Sequence, residues 1–213
     1  MDKQNEHLAN LSEIRSLMER SSRFISLSGL SGVAAGVFAI LGAAAAYYYL
    51  GTHSFKSDAY YEYARTSTGE TNKDFYAFFF ADAMLVLVAS VITGSVLTIR
   101  KARKKGQPTW DATAKRLLIN ILIPLVTGGL FCLVLLYHNL VGLVAPATLI
   151  FYGLALLNAS KYTLDDIRYL GICEIGLGLI ASVYIGYGLI FWTIGFGLLH
   201  IVYGTLMYNK YEK

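Results

Sequence analysis

Three stretches of this 213-residue chain, Phe24–Phe55, Leu117–Ser160 and Ile175–Asn209, contain no Asp, Glu, Lys or Arg. Each exceeds the ~20 residues with which a helix crosses a ~30 Å hydrocarbon layer. In such a layer the backbone has no water to bond, so continuous apolar runs are restricted to helices that satisfy their own N–H and C=O groups. Composition agrees, with 55% hydrophobic and 15% charged residues, too apolar for an ordinary soluble domain. Little of the chain is left for a separate soluble catalytic domain. An ionisable group inside such a segment is costly and demands a reason. Glu174, in the C-terminal apolar half, is that group.

The runs resolve into six crossings, near residues 24–50, 75–99, 117–137, 140–157, 167–185 and 188–208. Leu117–Ser160 must be divided, because as one helix it would reach roughly 66 Å. The polar pair His138–Asn139 marks the break, and Gly186–Tyr187–Gly188 marks a tight turn before the last crossing. The expected fold is an all-α integral membrane protein, a six-helix transmembrane bundle preceded by an amphipathic helix in residues 1–23. In that leader Leu8, Leu11, Ile14, Leu17 and Met18 recur at helical spacing. It is expected to lie on the membrane face, cover one end of the bundle, or dock a partner. The leader has charges but no apolar core of the kind a cleaved signal peptide needs.

Charge placement orients the set. Of 18 Lys and Arg residues, all but Lys56, Arg65 and Lys73 fall on the side holding both termini and the basic run Lys101–Lys105. Positive flanks stay in the cytoplasm, so both termini are expected inside. The basic run beside a crossing reads as a head-group anchor, with membrane lipids rather than nucleic acid as its partner. Local signals fit: Thr163 with Asp166 forms a capping-box pattern, Thr109 or Asp111 can cap the third helix, and Pro124 removes one backbone bond within it. Cys132 and Cys173 lie on different helices at different depths, which argues against a disulfide.

Gly171, Glu174, Gly178, Ser182 and Gly186 share one helical face, as do Thr193, Gly197, His200 and Gly204. Small residues let helices approach closely. With a very short connection, the fifth and sixth helices are expected to be antiparallel neighbours, stripe against stripe. Rise along the two helices puts Glu174 and His200 at similar depth, roughly 10–12 Å from the cytoplasmic edge. Asn120 and Asn158 approach the same level. The four are candidates for a polar ligand or proton site open to the inside, where a Glu–His pair would titrate as a coupled unit. The same pair would also serve as a hydrogen bond joining two helices. Asp82, His138 and Asn139 are candidates for a shallow outer vestibule. Gly32 and Gly36 form a GxxxG match for packing within the chain or against a second copy.

Other chemistries find no support in the pattern. His138 and His200 lie too far apart in depth to hold one haem. P-loop, dinucleotide, HExxH, CxxC and GxSxG motifs are absent, so no cofactor, metal or catalytic residue is expected. Two function classes remain: a small-ligand binding protein or carrier, with possible proton coupling, and a non-catalytic structural or regulatory subunit engaging a protein partner. The segment Met18–Gly29 (MERSSRFISLSG) and the Gly/Ala-rich crossing after it resemble small bacterial multi-pass membrane proteins of uncharacterised role. That resemblance implies residence in the bacterial inner membrane and assigns no residue a role.

Overall fold

Local sequence explains where the helices begin and end. A computed structural model describes Asn5, Phe24 and residues 27–51, 63–106 and 109–213; apart from Asn5 and Phe24, the leader and its expected amphipathic helix lie outside these. The six long helices are α1 (Gly29–Leu50), α2 (Lys73–Lys104), α3 (Ala112–Tyr137), α4 (Val144–Ala159), α5 (Asp166–Val183) and α6 (Gly188–Tyr211). Asn72 opens α2 by accepting the Phe75 N–H, and Asp111 opens α3 by accepting that of Ala114 at 2.7 Å. Each side chain satisfies an amide that has no intrahelical partner. Asp74 in the first turn of α2 and Lys101, Arg103 and Lys104 in its last complement the helix dipole.

The break between α3 and α4 is a helix stop of a defined kind. Asn139 adopts φ 59°, its N–H bonds the Leu136 carbonyl at 3.0 Å, and the Leu140 N–H bonds that of Leu135 at 2.8 Å. This paired bonding closes the exposed carbonyls of α3, and Asn tolerates the left-handed conformation it requires. Before α5 the structure departs from the capping box. Thr163 donates to the Phe24 carbonyl at 2.8 Å instead, and Asp166 accepts from Lys210 and Tyr211. Tertiary partners have taken both ends of the local motif.

Five helical spans are long and apolar enough to cross a membrane: α1, α2, α3, Val141–Tyr162 around α4, and α6. The sixth, α5, contains Asp166, Arg168 and Glu174. Together they form a helical transmembrane bundle, and the chain is a multi-pass membrane protein. Apolar side chains such as Phe80, Leu85 and Val91 of α2 and Ile123, Leu130 and Leu133 of α3 face outward, as lipid contact requires.

Glycine decides which helices touch most closely. On α1, Gly29, Gly32 and Gly36 face α6: a side chain at Gly36 would come within 2.6 Å of the Gly197 carbonyl, and one at Gly204 within 2.7 Å of that of Gly29. The GxxxG face is thus covered within the chain. On α5, Gly171 and Gly178 face α4, where Gly153, Pro146 and Ile150 complete the interlock. The fifth and sixth helices therefore do not pair stripe to stripe. Each turns its small residues to a different neighbour, α5 to α4 and α6 to α1, although the turn between them is short. Close packing of backbones is available wherever two small-residue faces fit, irrespective of adjacency in the chain.

At the end where the chain closes, a polar belt ties α1 to α2 and α6. Glu212 accepts from the Gly29 N–H at 2.6 Å and lies 3.3 Å from Lys101 Nζ, which also donates to the Leu27 carbonyl at 2.6 Å. Lys101 is buried, so this member of the expected head-group anchor faces the protein.

Candidate functional site

Glu174 crosses from α5 to the middle of α6 even though the glycine stripes do not meet. Its side chain is fully buried, and neither carboxyl oxygen has a hydrogen-bond partner among the described residues. Oε1 lies 3.5 Å from His200 Nδ1 without forming a hydrogen bond. Oε2 packs against Gly195, where an added Cβ would collide with it. Buried polar atoms are ordinarily paired, so two unpaired oxygens on one carboxyl are an exception that needs a cause.

The surroundings are arranged by an irregularity in α6. Residues Thr193–Leu199 wind as a π-helix, the wider turn that often accompanies functional sites. His200 follows it directly. Its Nδ1 lies 3.0 Å from the Gly195 carbonyl and its Nε2 2.7 Å from the Tyr152 hydroxyl. A carbonyl only accepts, so Nδ1 donates to Gly195; in the neutral ring Nε2 then accepts, and Tyr152 donates to it. Tyr152 is contributed by α4, so three helices supply the three ionisable groups. Phe196 stacks on His200, at 5.9 Å between centroids, and meets the Tyr152 ring at a tilt, at 4.9 Å. Rings so packed hold the imidazole's plane.

The other expected members sit elsewhere. Asn158 donates to both the carbonyl and the side-chain oxygen of Asn120, each at 3.0 Å. The carbonyl contact has a local cause: Pro124, four residues on, has no N–H to offer the Asn120 carbonyl. Asn158 fills that vacancy from α4. The four residues thus form two pairs, with Asn158 roughly 9 Å along α4 from Tyr152 by helical rise. Towards the opposite end, Asp82 lies against α1, its oxygens 3.3 Å from where a Cβ on Gly42 would be. His138 is exposed at the end of α3, its ring against Tyr137. Only Asn139 of that trio lines the cavity of about 310 Å³ at this end, with Ala64, Arg65, Tyr76 and Val141.

Tyr152, Gly195 and the Lys101–Glu212 pair escaped sequence reasoning. A tyrosine in mid-helix, away from the membrane interface that such residues favour, was the available sign of Tyr152. Among the described residues, no group of three or more His, Cys, Asp or Glu is placed to hold a metal ion.

Fold and site together define a multi-pass α-helical membrane protein with ionisable side chains buried where three of its helices meet. No protein-family model matches the chain, and neither a curated protein nor a solved structure matches it.

Proposed function

We propose that this protein is a carrier for small ligands and that Glu174 and His200 handle a proton coupled to their movement. The observation supporting this reading is the buried Glu174 carboxyl with both oxygens unpartnered. A group kept only to join helices is expected to have its hydrogen bonds made, whereas ionisable groups in membrane interiors mark proton relays and ion pathways. The adjacent π-helix agrees with a site that must alter its contacts. The distribution of Lys and Arg supports a topology with both termini in the cytoplasm, and the resemblance carried by Met18–Gly29 implies residence in a bacterial inner membrane.

A structural or regulatory subunit is the second reading. It is favoured by the open apolar edge of α2, where Phe80, Leu85 and Val91 offer a seam to a partner helix as readily as to lipid. Purified protein in vesicles on a solid-supported membrane separates the two. Under a proton gradient, a panel of amino acids, carboxylates, sugars and organic cations should include a class that drives charge movement. Glu174→Gln should abolish it with insertion intact. A wild-type protein silent to the whole panel, with crosslinks from Lys104 reaching one reproducible protein partner, would replace the carrier by the subunit.

A further inference from the structure

The tautomer of His200 is set by the Gly195 carbonyl of its own helix and matched by Tyr152 from α4, and this has a chemical consequence for Glu174. With Nδ1–H directed to the Gly195 carbonyl and Nε2 accepting from Tyr152, the ring presents a proton on the side where Glu174 Oε1 lies 3.5 Å away. Its lone pair faces Tyr152 on the other side. The arrangement is therefore a wire with a direction: hydroxyl, imidazole, carboxyl.

We propose that Tyr152, His200 and Glu174 form a proton relay in which Tyr152 is the entry residue, Gly195 provides the clearance for the carboxyl, and the species accepted at Glu174 is a proton alone. This rests on the proton-handling reading given above. In the transfer, a proton reaching the Tyr152 oxygen passes the hydroxyl's own proton to Nε2, and Nδ1 gives its proton to the Glu174 carboxylate. One proton enters at Tyr152 and one is bound at Glu174. The ring is left as the Nε2–H tautomer, neutral as before, and regains its Nδ1 proton when the carboxyl returns one along the same path. For the last step Nδ1 and Oε1, 3.5 Å apart, close by about 0.5 Å into hydrogen-bond range as the Nδ1 proton turns from the Gly195 carbonyl.

Two features restrict the ligand. A hard metal cation needs a shell of several oxygen donors. Here the Gly195 carbonyl is engaged by His200 and the Tyr152 hydroxyl by Nε2. The space that a side chain at position 195 would use is already occupied by Glu174 Oε2. A proton needs neither a shell nor a cavity. The other titratable side chains nearby on α5 and α6, Cys173 and Tyr203, face each other at 3.7 Å, which leaves Tyr152 from α4 and His200 from α6 as the groups facing Glu174.

The test uses full-length protein in vesicles, with two measurements. Nitrogen NMR of histidine-labelled protein, assigned by the signal lost in His200→Ala, should find the neutral Nδ1–H form at His200. Tyr152→Phe, which keeps the ring and loses the hydroxyl, should keep the Nδ1–H form held by the Gly195 carbonyl and move the Nε2 signal to that of an unbonded nitrogen. Infrared difference spectra after a pH jump should show a carboxyl band that disappears in Glu174→Gln. Its rise should slow at least tenfold in Tyr152→Phe with its final amplitude retained, which a purely structural role would not produce. Exchanging potassium for sodium should leave the band unchanged.

An Nε2–H tautomer in the wild type, or an unchanged rise in Tyr152→Phe, would overturn the relay. Loss of the carboxyl band on adding sodium would overturn the restriction to protons. Should Tyr152→Phe fail to assemble, the wild-type tautomer and the sodium exchange still decide. These outcomes are separate from the carrier reading: a working relay in a protein that moves no solute sinks the carrier alone.

Discussion

Glu212 accepts the Gly29 backbone N–H at 2.6 Å, so the residue that follows α6 caps the start of α1. The same carboxylate lies 3.3 Å from the buried Lys101 ammonium at the end of α2. One side chain thereby holds three helix ends. A carboxylate at a helix N-terminus meets unpaired amides and the positive end of the dipole together.

Glu212→Ala should lower unfolding stability by about 1.5–3 kcal/mol, the scale of a hydrogen bond to a charged group. Lys101→Met in the same background should recover part of the loss, because the cost includes an ammonium left buried without its counter-ion. Thermal unfolding of the purified protein in detergent measures both. Equal stability of wild type and Glu212→Ala would show that the contact contributes nothing.

Pro124 and Asn158 should prove energetically coupled although they do not bond each other. Asn158→Leu leaves the Asn120 carbonyl unpaired and should cost about 1–2 kcal/mol. Pro124→Ala restores an N–H for that carbonyl. In the double variant the Asn158→Leu penalty should shrink by at least half, a coupling that a double-mutant cycle reads directly. Additive effects would remove the connection.

Two glycines on α5 should respond in opposite directions. An added Cβ at Gly178 would stand 2.9 Å from the Pro146 carbonyl and 3.0 Å from the Ile150 amide, both backbone atoms that cannot swing aside. Gly178→Ala should therefore reduce folded yield and part α5 from α4. At Gly176 nothing lies within 4 Å, and Gly176→Ala should be neutral or stabilise by about 0.5–1 kcal/mol through helix propensity. Fluorescence-detected size exclusion after graded heating compares them.

Glu174→Met should raise stability by about 1–3 kcal/mol while eliminating any proton-linked activity, because it removes two unpaired buried oxygens and keeps a similar volume. Such an exchange of stability against activity is characteristic of functional sites. If the variant instead unfolds more easily by that amount, Glu174 is a link between helices and the proton reading falls.

Much of the architecture was legible before any contact was known. Runs without charge marked the helices, His138–Asn139 marked the stop after α3, and depth counting brought Glu174 level with His200. These readings depend on local quantities: helical rise, backbone conformation at a turn, and the cost of charge in lipid. Thr163 shows where local reading ends, since its capping pattern was present and a carbonyl at Phe24 claimed the hydroxyl. Lys101 shows the same: its place in a basic run points to lipid head groups, and its ammonium lies against Glu212 instead.

Chain chemistry alone settled that this protein crosses the membrane repeatedly as helices, because length and hydropathy are properties of each segment. The choice of neighbours was left to the fold. A stripe of glycine specifies that another backbone can come close without saying whose, and it is shape complementarity that set α5 on α4 and α6 on α1. Tyr152 met His200 only through that arrangement. The order of hydroxyl, imidazole and carboxyl in space therefore exists in the assembled bundle and in no single helix.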